Sequence, residues 1–163
     1  MSAYYVIDFG ATQTTNATGN TENDSTFVTV GTGASLKLYF MKLMGKAAGL
    51  TALSGIESRL KNWPSTSSSG GTAVTPTPTP TATAASKATA GASASAVTSG
   101  TGTSLLYGSC CTGVSGSDTW QCFGRDMDDA PDIQSAATKS LDTFVSSPTA
   151  SMNYTVVLKI AEN

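Results

Sequence analysis

Histidine is absent from all 163 positions of this chain. That removes the commonest general base and metal ligand, and with it every catalytic triad built on an imidazole. Charge is scarce as well, at 12% of residues against about twice that in ordinary soluble domains. The nine Lys and Arg residues are scattered and the net charge is −2, so a nucleic-acid footprint is not expected. No run of about 18 apolar residues occurs, so no membrane span is expected. The opening MSAYYVIDFGAT lacks a basic segment and a continuous apolar core, which argues against a secretory signal and for synthesis in a host cytoplasm.

The most telling shortage is local. Residues 64–104 hold one charge, Lys87, no aromatic and no Leu, Ile, Met or Phe, and consist mainly of Ser, Thr, Ala, Gly and Pro. Ordering each residue costs about 1–2 kcal/mol of backbone entropy, and side chains no larger than Val74 and Val97 bury too little area to offset it. The tract is therefore expected to order only against something outside itself, a neighbouring subunit above all. Within it, Thr75-Pro76-Thr77-Pro78-Thr79-Pro80 fixes φ at every second residue and biases the residues between to extended backbone. The expectation is a semi-rigid extended arm that divides one domain into an N-terminal part, 1–63, and a C-terminal part, 105–163.

Outside the tract, β-branched and aromatic residues predict strands at 4–9 and 26–30, and the strict alternation of 154–160 predicts a third, with Tyr154, Val156, Leu158 and Ile160 on one face. The first and last strands are expected to pair. At 100° per residue Leu36, Phe40, Leu43, Ala47 and Leu50 share a face, and Leu53, Ile56, Leu60 and Trp63 share another, which predicts two helices or one kinked near Gly49. A competing alternation, Leu36, Leu38, Phe40, makes 36–40 a strand pairing with 26–30 across Gly31-Thr32-Gly33. Asp129-Ala130-Pro131-Asp132 reads as a helix start, followed by the stripe Ile133, Ala137, Leu141, Phe144 and Val145. The fold expected from these readings is α+β: a small, mainly antiparallel sheet of N- and C-terminal strands, two or three helices, and the extended arm.

Candidate chemistry is thin. Cys110, Cys111 and Cys122 form an odd set without histidine, one protein ligand short of a zinc site; they read as reduced packing thiols, with a bridge from Cys122 to one of the vicinal pair as the alternative. Asp126, Asp128, Asp129 and Asp132 offer carboxylate oxygens, but the EF-hand glycine and distal glutamate are missing, so helix capping is the simpler role. No cofactor and no enzymatic activity are expected. Trp63 and Trp120, with Pro76, Pro78 and Pro80 of the arm, are the candidate interface residues.

Low charge and an unfoldable arm point to a structural subunit. The composition resembles that of virion proteins, and the expected role is a capsid decoration or cement protein of a tailed bacteriophage, a homo-oligomer bound to itself or to a major capsid protein. Other phage parts (tail, collar or fibre base) and an adhesin or carbohydrate-binding module on a Thr/Pro stalk are the alternatives.

Overall fold

Alternation at the C-terminal end sets the architecture. Tyr154, Val156, Leu158 and Ile160 are all buried, whereas Val157 and Lys159 between them are half-buried. This is the signature of a strand with one face on a core. In the computed structural model it is β13 (Asn153–Glu162), and it pairs antiparallel with β1 (Ala3–Asp8) from Ala3↔Glu162 to Asp8↔Val157, so the two ends of the chain close the domain.

The structure describes residues 3–10, 13–14, 18, 21–31, 33–45, 56–63, 67–80, 84–100, 105–112, 118–122, 132–133, 139–147 and 153–163. Between β1 and β13 run β2 (Gln13–Thr14), β3 (Asn23–Val30), β4 (Leu36–Gly45), β5 (Ile56–Trp63), β6 (Ser69–Val74), β7 (Thr77–Pro78), β8 (Ala88–Thr98), β9 (Leu105–Thr112), β10 (Asp118–Cys122), β11 (Asp132–Ile133) and β12 (Ser140–Ser146). One sheet has the order β10-β4-β13-β1-β7, with β2 and β11 continuing it at the ends of β13 and β4; the other has the order β6-β8-β3-β12-β5-β9.

With β2, β11 and the stretch from β6 to β8 set aside, eight principal strands remain, and their pairing is nested. The first pairs with the last (β1 with β13), the second with the seventh (β3 with β12), the third with the sixth (β4 with β10) and the fourth with the fifth (β5 with β9). Every pair is antiparallel, and pairs alternate between the sheets. This nesting is the two-sheet jelly roll. Its core lies between the sheets, with Ile7, Leu38, Leu43 and Leu158 from one side and Val28, Leu60, Leu141 and Ala90 from the other.

The expected α+β class is thereby corrected: among the described residues there is no helix, and both sheets are antiparallel. The reason differs by element. In β4 the pairing with β13 skips Tyr39, because Lys159 faces Phe40 and Ile160 faces Leu38. Leu36 and Leu38 before that bulge and Met41 and Leu43 after it are all buried. An extra residue in a strand shifts the phase of alternation, and the spacing it leaves imitates a helical stripe. The competing strand reading had the right element and the wrong partner, since β3 lies in the other sheet.

β5 and β12 are interior strands whose backbone groups are taken on both sides, β5 by β12 and β9, β12 by β3 and β5. All residues of β12 from Ser140 to Val145 are buried, so no polar face shows and Leu141, Phe144 and Val145 read as helical. Ala47, Leu50, Leu53 and Ala137 lie outside the described residues.

The expected extended arm is corrected too. Residues 69–74 and 88–98 of the tract are strands of the second sheet, and Thr77 and Pro78 pair with Val6 and Tyr5 at the edge of the first. The tract still has no core of its own. β8 lies along β3 from Thr26↔Ala92 to Val30↔Ala88, and its Ala88, Ala90 and Ala92 are buried. The sandwich supplies the apolar partners and a backbone ladder, which offset the entropy that the tract cannot offset alone. Gly91 is required there, since a Cβ would stand 2.5 Å from Cε1 of Phe27 and 2.9 Å from the carbonyl oxygen of Gly70.

Candidate functional site

The residues singled out from the sequence do not converge. Trp63 ends β5 opposite Ser140 in the second sheet, and Trp120 stands in β10 opposite Lys42 in the first. Their side chains lie outside the described residues. Cys110 and Cys111 are in β9 opposite Ser58 and Glu57, while Cys122 is in β10 of the other sheet, opposite Phe40. Residues 123–131 lie outside the described residues, and Asp132 opens β11.

The prolines do mark a place. Pro76 is buried, Pro78 and Pro80 are exposed, and Pro76 and Pro78 line a cavity of about 600 Å³ with Val74, Ala84, Ala88 and Ala90. Proline donates no backbone hydrogen bond, which suits Pro78 to the sheet edge it occupies.

What the fold brings together is a set of anchors for the tract. At its middle, the backbone N–H and the hydroxyl of Thr79 both donate to the Tyr4 carbonyl, at 3.0 and 3.1 Å, and the Tyr5 hydroxyl donates to the Ala84 carbonyl at 3.0 Å. The buried carboxylate of Glu162 accepts the N–H of Lys87 at 3.0 Å, the N–H of Ala88 at 3.1 Å and the hydroxyl of Ser86. Successive backbone amides aimed at one carboxylate form charge-assisted bonds, about twice as strong as neutral ones. β8 begins at this point, so Glu162 of one sheet fixes where a strand of the other starts.

At the base of the tract the anchors are acidic and buried. Asp24 of β3 and Asp142 of β12 are 8% and 0% exposed. Both lie on the face of the second sheet turned away from the core, because their registered partners Phe144 and Phe27 belong to that face while Val28 and Leu141 face inward. The Ser68 hydroxyl bonds Asp142 and lies 3.4 Å from Asp24 Oδ2; its oxygen accepts the Gly100 N–H at 2.7 Å, and the Ser68 N–H donates to the Ser140 hydroxyl at 2.9 Å. Residues 68 and 100, the two ends of the excursion, thus meet at the Ser68 hydroxyl, which is itself bonded to Asp142.

The nearby cations bond Glu22, and the Lys61 charge also acts on Asp24. Lys61 Nζ and Arg59 Nη1 of β5 bond the two oxygens of Glu22 at 2.7 and 2.8 Å, and the Lys61 ammonium lies 4.0 Å from the centre of the Phe144 ring. Burial, reinforced by the neighbouring charge of Asp24, pushes Asp142 up to about 8. Burial also raises Asp24, against hydrogen bonds from Asp142, Ser99 and Ser68 and the charge of Lys61, which favour its ionised form. Asp142 therefore keeps the proton and donates it toward Asp24, as two like charges in one buried site require. Tyr154 of β13, on the core side of the sheet and within reach of the Asp24 charge, is raised by burial and stays neutral.

This pair was missed in the sequence because 24 and 142 are brought together only by the β3 to β12 ladder. The nearest signal was an acidic residue, Asp142, inside an apolar stripe. Comparison of the chain with protein-family models, with curated proteins and with solved structures finds no match.

Proposed function

We propose that this chain is a structural protein of a virus particle, a shell or shell-decorating subunit that associates with copies of itself. The observation that carries the proposal is the nested pairing of the eight principal strands, since the two-sheet jelly roll is an architecture of viral capsid and lectin domains. Low charge supports the same reading: with 12% charged residues, a subunit gains solubility by covering its surface with neighbours. Attachment runs through the faces and loops of the sandwich, because the tract is part of the second sheet.

One observation favours a second reading, a saccharide-binding module. On the first sheet the rings of Tyr4 and Tyr39 meet edge to face at 6.1 Å, both half-buried, with Lys159 Nζ 5.6 and 5.5 Å from their centres. Half-exposed aromatic rings offer a surface on which a sugar ring stacks.

Sedimentation velocity and negative-stain microscopy of the purified full chain separate the two. The expected result is concentration-dependent association into discrete high-mass particles. A protein that stays monomeric at every concentration, and binds a glycan through a site lost in Tyr39→Ala, would overturn the virion reading.

A further inference from the structure

We propose that Asp24 and Asp142 form a proton-operated latch at the base of the excursion 68–100: the proton they share holds the excursion closed on the sandwich, and its loss to solvent releases it. The geometry makes Ser68 the bolt. Its hydroxyl bonds Asp142 and reaches Asp24, its oxygen takes the N–H of Gly100, and its own N–H is held by Ser140 of the same strand as Asp142. Both ends of the excursion are therefore tied to each other and to the acid pair through one residue.

Among the described residues one cation, Lys61, favours an ionised Asp24, and none is set against a second negative charge on Asp142. Lys61 and Arg59 come from β5 and are bonded to Glu22, which precedes β3. Glu22 is itself an anion. Tyr154 approaches from β13 as a neutral hydroxyl, and residues 64–104 bring no charge except Lys87, whose backbone is tied to Glu162 at the far anchor. Removing the shared proton leaves two buried carboxylates side by side, a state that only hydration relieves. Ser68 and Gly100 are both buried and bonded to each other, so water reaches the carboxyl that Ser68 bonds where the two move apart. Burial already holds Asp142 up to about 8, which sets the working range in mildly alkaline solution.

The latch does not depend on a role in a virus particle, and its test needs the full-length protein alone. Amide hydrogen exchange, corrected for the intrinsic rate, is measured at pH 6 and pH 9 in the wild type and in Asp142→Asn, whose amide imitates the protonated acid without titrating. The expected result is a loss of protection of about tenfold or more at Ser68 and Gly100 in the wild type, with β13 unaffected, and no such loss in the variant. Unchanged wild-type protection, or the same loss in the variant, would overturn the proposal. If Asp142→Asn does not fold, Asp24→Asn gives the same readout, because either substitution removes the second charge.

Discussion

Glu162 Oε2 accepts the backbone N–H of Lys87 at 3.0 Å, and through this bond the last strand of one sheet holds the residue that leads into a strand of the other. The lone charged residue of the tract is thus bound through its backbone N–H.

Replacing that carboxylate tests how much the anchor contributes. Glu162→Gln keeps the shape but presents one acceptor oxygen where two now take Lys87, Ala88 and Ser86. A buried donor left without its acceptor costs about 1–3 kcal/mol. The expected outcome is an unfolding free energy lower by that amount, read from urea denaturation, and faster proteolysis near residue 87.

Gly91→Ala is expected to destabilise by about 1–3 kcal/mol, the usual cost of overpacking. The added methyl meets the Phe27 ring and the Gly70 carbonyl. Chemical denaturation gives the number, and combining it with Phe27→Leu, which makes room, should recover part of the loss.

Stability should fall as pH rises from about 4 to about 8. Asp142 titrates near 3.8 in the unfolded chain and near 8 in the folded one, and Asp24 is raised as well, so the folded state holds more protons across that window. The contribution is complete below the lower value and lost as pH passes the upper one. Urea midpoints at pH 5, 7 and 9 should decline in the wild type and run flatter in Asp142→Asn.

Legibility in the sequence followed from how locally each element is determined. β13 was readable because its apolar residues Tyr154, Val156, Leu158 and Ile160 all face the core, and alternation of burial survives through its middle, from Val156 to Ile160. β4 was not, because the bulge at Tyr39 breaks the phase that alternation needs. β12 was not, because tract and core bury both its faces. The tract carried a signal that composition hid: Ala88, Ala90, Ala92, Ala94 and Ala96 alternate with Thr, Gly and Ser, a period-two pattern written in residues too small to weigh as apolar. Its order depends on β3, more than fifty positions earlier, and no local reading reaches that far. The acid pair is hidden for the same reason.

The central claim is that the Ser/Thr/Ala tract is a working part of the sandwich in the single molecule. Its most direct test is a nuclear Overhauser experiment on the labelled monomer near pH 5, below the range in which Asp142 gives up its proton. Cross-strand contacts between residues 26–30 and 88–92, in the register Thr26↔Ala92 to Val30↔Ala88, are the expected result. Random-coil shifts and no such contacts throughout residues 69–98 would contradict it.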